Sequence, residues 1–326
     1  MSNVIISRDR YPLWRTVLWV GIASIIMVCT TYLHANSGDI KQQSYACPEE
    51  AVKALIDAVK ANNNEELLAI FGPGSEDIVF SGDEVDDKAN REAFLNAYAE
   101  MNKLEKQTPS LTFLHVGARD WTMPIPIVKK GERWIFDTEA GREEILNRRI
   151  GRNELNVIEV LHAYVDAQRE YASKDRNGDG SLEFAQKLVS TNGKHDGLYW
   201  ETKEGEEMSP FGPLAAQAAK EGYNVKPESE ESSPYHGYFY KILKGQGKSA
   251  PGGRYDYVVN GKMILGFALV AYPSKYGSSG IMTFILNQQG VVYEKDLGKN
   301  TANIAQSMKW YDPDGSWKKF KEATKS

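Results

Sequence analysis

Cysteine is scarce: two in 326 residues. Two thiols cannot build the disulfide scaffold of a small secreted domain, nor a zinc site of several thiolates. A strong charge of either sign is also missing. Thirty-nine Lys+Arg stand against 44 Asp+Glu, a net charge of −5, which excludes the basic footprint of a general nucleic-acid binder. The local signatures of nucleophile elbows, zincins, P-loops and dinucleotide folds (G-x-S-x-G, H-E-x-x-H, G-x-x-x-x-G-K-[ST], and G-x-G-x-x-G in a βαβ setting) do not occur. What is present is an ordinary globular composition. Hydrophobic residues make up 41% and aromatics 11%, enough for packed cores and too much for wholesale disorder. At about 100–200 residues per domain, the length predicts two domains.

Thr16 to Leu33 is eighteen residues without a charge, preceded by Arg8, Arg10 and Arg15 and opposed only by Asp9. Lys and Arg are retained on the cytoplasmic side. The chain beyond Leu33 is therefore expected to be exported across the inner membrane, periplasmic or anchored and facing the periplasm. The run is short for a spanning helix of about 20 residues and long for a signal core of roughly 7–15. Residues 1–35 thus read as a signal peptide or as a membrane anchor acting through residues 16–33. Leu33-His34-Ala35 and Ser44-Tyr45-Ala46 both end in the small residue a cleavage site needs. Val28 is too large to precede a lipidated Cys29. Removing residues 1–35 takes away three Arg and one Asp, leaving 36 Lys+Arg against 43 Asp+Glu, a net −7. Cys47 then stands alone and reads as a buried small hydrophobe.

Val52, Leu55, Ile56 and Val59 fall on one helical face, predicting a helix that Asn62-Asn63-Asn64 breaks, a second ending at Gly72-Pro73-Gly74, and a third carrying Phe94, Ala97, Tyr98 and Met101. Strand-like pieces follow at 111–116, 121–128 and 133–136, the middle one demoted to an edge or bulged strand by Pro124 and Pro126. Residues 138–172 are helical, with Arg142, Arg148, Arg149 and Arg152 as their charge and Gly151 as the expected break into two helices. Residues 198–234 are proline-rich loop with one short helix near 214–221. Beyond Tyr235, β-branched and aromatic runs at 238–243, 255–259, 265–272, 281–286 and 291–293 predict an antiparallel sheet. The fold class is α+β. Residues 48–150 are expected to form a first domain, and residues 151–318 a second built from a long helix and the sheet. The helix-then-sheet order of the first resembles NTF2-like or cystatin-like folds.

The strings WTMPIPIVKKGERWIFDTEAGREEILNRRIGRNEL, SPFGPLAAQAAKEGY, PYHGYFYKILKGQG and GKMILGFALVAYPSKYGSSGIMTFILNQQGVVYEKDLG resemble a bacterial exported family catalogued as a domain of unknown function, DUF 2950, over most of residues 48–312. The resemblance implies an envelope protein and supplies no catalytic residues. AYVDAQREYASKDRNGDGSLEFAQKL together with SGIMTFILNQQGVVYEKDLG is similar to pilin-like and pseudopilin globular domains.

Asp175, Asn177 and Asp179, with Ser181 and Glu183, place oxygen ligands at alternate positions of a glycine-containing loop. That spacing suits Ca2+, although Gln186 occupies the position of an EF-hand's bidentate Glu. The same residues also make a polar turn after a helix. His236, in Pro-Tyr-His-Gly, is the candidate catalytic base, or else a packing residue among tyrosines. Tyr235, Tyr238, Tyr240, Tyr255, Tyr257, Tyr272, Tyr276 and Tyr293 crowd the second sheet, either as a recognition face or as a half-exposed lining. The function expected is a non-enzymatic binding or assembly module of the envelope, with an envelope protein or glycan as partner. The alternatives are a hydrolase on envelope material with a site between the domains, and a membrane-anchored sensor or assembly factor.

Overall fold

The helical periods of the first third become helices. In the computed structural model, which describes residues 41–176, 178–203, 205–224 and 233–321, Val52, Leu55, Ile56 and Val59 share the buried face of α1 (Pro48–Lys60). Pro48 opens that helix where a missing N–H costs nothing. Cys47 is its N-cap residue and is half-buried, not enclosed as expected. Asn63 caps α2 (Asn64–Phe71), accepting from Glu66 N at 3.1 Å. The short α3 (Glu76–Val79) precedes α4 (Glu84–Glu100), which Asp83 caps. No residue of α4 is fully buried. The segment 16–33, Cys29 and the Leu33-His34-Ala35 position lie outside the described residues, among which no helix is long and apolar enough to cross a membrane.

An antiparallel sheet follows: β1 (Asn102–Thr108), β2 (Leu111–Val116), β3 (Trp121–Thr122), β4 (Ile127–Lys130) and β5 (Arg133–Phe136). Its order is β1-β2-β4-β5, with β3 also on β2. β1 was not expected, because its sequence NKLEKQT has no apolar alternation; it is an exposed, charged edge paired along β2 from Asn102↔Val116 to Thr108↔Leu111. Pro124 and Pro126 split the expected 121–128 strand into β3 and β4. The chain entering α1 is part of this layer. Tyr45 exchanges backbone hydrogen bonds with Trp134 at 2.8 and 2.9 Å. Gln42 Nε2 donates to the carbonyls of Ile70 (3.1 Å), Phe71 (3.2 Å) and Phe136 (2.7 Å).

The break expected at Gly151 does not occur. α5 (Thr138–Tyr171) runs for 34 residues straight through it. Packing at both ends carries the helix across a glycine cost of about 1 kcal/mol. Its early turns lie over the first core, where Gly141 meets the Pro124–Ile125 backbone, and its later turns bury Val157, Leu161, Tyr164 and Gln168 in the second. Gln168 is fully enclosed and fully bonded: Nε2 donates to Tyr164 Oη (3.0 Å) and Ala185 O (2.9 Å), and Oε1 accepts from Ala185 N (2.8 Å). After a loop and α6 (Gly212–Lys220) comes β6 (Tyr238–Leu243). The expected 255–259 strand divides into β8 (Tyr255–Asp256), paired with β7 (Gly245–Gln246), and β9 (Val258–Val259), paired with β10 (Lys262–Met263). β11 (Ala268–Pro273), β12 (Met282–Asn287), β13 (Tyr293–Asp296) and, after α7 (Thr301–Ser307), β14 (Lys318–Lys319) complete a five-stranded sheet in the order β14-β13-β12-β11-β6. Every residue of β11 is buried, as an interior strand requires. The α+β class therefore holds, with all sheet pairings antiparallel.

The described residues fall in one compact unit, and polar groups tie its two cores together. Arg149 donates to Asp77 O (2.6 Å) and Ile78 O (2.7 Å) in α3 and to Ser278 Oγ (3.1 Å). Asp83, 2% exposed, accepts from Tyr223 Oη (2.9 Å) and Gly237 N (2.8 Å). Asn153 donates to Ser279 O at 3.0 Å, and Glu154 accepts from Ile281 N and Met282 N at 3.0 Å.

The two glycines of α5 predict opposite outcomes. A Cβ on Gly141 would sit 2.6 Å from the Pro124 and Ile125 backbone, whereas one on Gly151 meets nothing within 4 Å. Gly141→Ala is expected to destabilise by about 1–3 kcal/mol and Gly151→Ala to stabilise by up to about 1 kcal/mol, both read from urea unfolding.

Candidate functional site

α1 to α5 and the β2–β3 end of the first sheet line an open cavity of about 490 Å³. Leu55, Val59, Phe71, Phe94, Val116 and Met123 are among its apolar walls. Arg91, Arg148, Arg149 and Arg152 also line it, with Asp87 the one acidic residue among the lining. Burial lowers the pKa of Arg149, opposed by the nearby Asp87 and Asp86. Burial likewise pushes the Asp87 carboxyl up, opposed by hydrogen bonds from Ser81. Arg152 bonds Asn90 (3.1 Å) and Asp86 (3.0 Å). Arg148 bonds Glu144 through Nε (2.6 Å) and lies 6.0 Å from the centre of the Trp121 ring. Trp121 is 41% exposed and meets Phe94 edge-on, centroids 6.5 Å apart. The cavity can hold an apolar body while presenting positive charge to its polar end. Of the four arginines, Arg148, Arg149 and Arg152 are expected from sequence only as the charge of the 138–172 helix, and nothing in the sequence marks Arg91. The one available signal is the density of Arg148, Arg149 and Arg152 beside Ile145 and Ile150 on α5.

His236 adopts a left-handed backbone, φ +50°. Its Nε2 stands 3.4 Å from Glu221 Oε2, its ring centre is 4.1 Å from that of Tyr235, and its N–H donates to Tyr223 Oη at 3.3 Å. A histidine beside a carboxylate is half of a general-base arrangement. Its ring neighbours Tyr223 and Tyr235 are held protonated, both pushed well above the usual phenol range, first by burial and then by nearby carboxylates. They are not activated nucleophiles. His115 is nearly buried between Glu105 (3.5 Å) and Asp120 (3.3 Å). His195 stacks on Trp200 at 4.3 Å. The crowded tyrosines do not form an open face: Tyr238 and Tyr257 are fully buried, Tyr272 nearly so, and none of the eight is exposed.

The 175–183 loop is drawn tight by its own side chains. Asp175 accepts from Gly178 N and Gly180 N, both at 2.8 Å, and Asp179 accepts from Ser181 N at 3.1 Å. Asn177 lies outside the described residues. A cation already reaches the loop. Lys262 Nζ lies 2.7 Å from Asp179 Oδ2 and donates to Ser181 Oγ at 2.7 Å. The Lys262 ammonium, helped by Ser181, holds the Asp179 carboxyl down at about 2. Burial and the Asp179 charge push Glu183 the other way. Among the described residues no group of three His, Cys, Asp or Glu is placed to hold a metal ion.

The sequence matches a family described as a protein of unknown function, DUF2950, across residues 42–320. The chain belongs to that family. No curated protein and no solved structure matches it, so the NTF2-like and cystatin-like resemblances rest on element order alone and the pilin-like one on its two sequence strings. The DUF2950 match begins at Gln42, whose side-chain amide bonds three carbonyls of the fold.

A folded-state pKa below the unfolded value stabilises at neutral pH, and that contribution is lost as pH falls from about 4 towards 2. A 13C-detected titration should find Asp179 at about 2 in the wild type and shifted up towards the ordinary carboxylate range in Lys262→Met, where the Ser181 hydrogen bonds remain. A calcium ion at this loop must displace the ammonium. Calorimetric affinity rising about tenfold in Lys262→Met supports a metal site; no heat and no change in Tm with either protein ends that reading.

Proposed function

We propose that this DUF2950 protein is a non-enzymatic binding protein of the bacterial envelope whose first cavity takes an apolar molecule with an anionic end. The observation that carries the proposal is the cavity's lining: apolar walls with four arginines, two of them paired with Glu144 and Asp86, beside one acidic residue, Asp87. An apolar chain gains from leaving water, and an acid headgroup meets arginine rather than hydrocarbon. The hydrolase alternative draws on the His236–Glu221 pair. That pair does not line the cavity, and its ring neighbours are protonated phenols.

Export is the second element of the proposal and rests on the charge pattern around residues 16–33. If the leader is removed, the fold constrains the cut. Tyr45 is buried and paired with Trp134, and Gln42 bonds three carbonyls. Cleavage after Ala46 would remove both. Mass spectrometry of the native protein is expected to find an N-terminus before Gln42; a chain beginning at Cys47 would contradict this.

Dodecanoate is expected to change Trp121 emission in a saturable titration, whereas dodecyltrimethylammonium, of the same chain length and opposite charge, is not. Trp121→Phe should remove the signal, and Phe94→Ala should weaken binding about tenfold through lost apolar contact. Equal binding of the two detergents, or of neither, would defeat the reading.

A further inference from the structure

A second cavity, of about 550 Å³, lies in the other half of the molecule, beside the 175–183 loop. Its walls include Tyr171, Arg176, Lys194, His195, Asn260 and Lys262, and the carboxylates Glu183 and Asp196 also face it. Two of these charges are already answered. Asp196 is paired with Lys187 at 2.7 Å, and Lys262 with Asp179 at 2.7 Å.

Arg176 is different. Its side chain is only 7% exposed. The guanidinium lies 5.8 Å from the centre of the Tyr171 ring and 5.4 Å from that of Trp200. Nη1 reaches Glu207 Oε1 at 3.3 Å, an oxygen that Lys174 holds more closely at 2.7 Å. Nε donates to Tyr171 O at a long 3.5 Å. Nη2 is buried and has no hydrogen-bond partner. A buried guanidinium with an unanswered donor is costly unless something else supplies the acceptor. Both of its existing bonds are long, so a small rotation of the side chain is enough to offer Nη2 to the cavity. The wall is otherwise held in place: Tyr171 Oη donates to His195 O at 2.7 Å, and His195 stacks on Trp200.

We propose that this cavity is a binding site for a small carboxylate ligand, whose acid group pairs with Arg176 and Lys194 and whose body packs against Tyr171 and His195. Arginine is suited to this task because its planar donors match the two oxygens of a carboxylate. The site is separate from the apolar cavity of the first half and does not depend on what that cavity binds.

The acid could belong to a sugar or to a peptide end, and the test separates the two. The full chain is titrated calorimetrically with glucuronate and with acetyl-phenylalanine, each beside its neutral counterpart, glucose and acetyl-phenylalanine amide. Binding of either acid at least about tenfold tighter than its neutral partner is expected, and which acid binds names the source. Arg176→Met should abolish this binding. Lys194→Gln, on an exposed residue whose loss leaves the fold intact, should weaken it about threefold and decides the matter if the arginine variant does not fold. The inference is overturned if neither acid binds below about 10 mM, if neutral and acidic forms bind alike, or if Lys194→Gln binds as the wild type does.

Discussion

The structure turns on the buried guanidinium of Arg149. From the middle of α5 it caps the last carbonyls of α3 and reaches Ser278 in the Gly-Ser-Ser-Gly turn before β12. Three segments far apart in sequence thus share one cation. Removing it would take that donor from Ile78 O, leave Asp77 O with Ser278 Oγ, and leave Asp87 with Arg91 as its nearby positive charge. The same side chain lines the apolar cavity, so the group that joins the two cores also contributes to the electrostatics of the first. Asp83 is the anionic counterpart, capping α4 while accepting from Tyr223 and Gly237.

Legibility in the sequence followed local physics. β2, β5 and β6 were readable to the residue, because their apolar and β-branched runs end at glycine or polar punctuation. β1 was not readable, since NKLEKQT is strand only by pairing with β2. Gly151 looked like a helix end because propensity is local; packing at both ends of α5 is not. The tyrosines of the second sheet read as a recognition face or a half-exposed lining; the fold buries three of the eight and leaves five half-buried.

The candidate sites were harder to read for the same reason. The apolar cavity draws on five helices and a sheet edge, and no short motif encodes that convergence. The 175–183 loop was recognisable as cation-shaped, but the ammonium that reaches it comes from Lys262, roughly eighty residues later. Arg176 followed the loop's first aspartate and drew no notice; only burial beside Trp200 and an unanswered Nη2 distinguish it.

α4 has a further consequence. It is pinned at one end by Asp83 and at the other by Gly117, whose N–H donates to Ala97 O and Met101 O at 3.0 and 2.9 Å. Between these points its seventeen residues include none fully buried. Segments with so little enclosed surface open at a lower free energy than the domain as a whole. Amide exchange should therefore rank α4 well ahead of α1, whose seven enclosed side chains hold it to the sheet. A helix that breathes on its own, while the core beneath stays folded, leaves one wall of the open cavity free to adjust to what enters it.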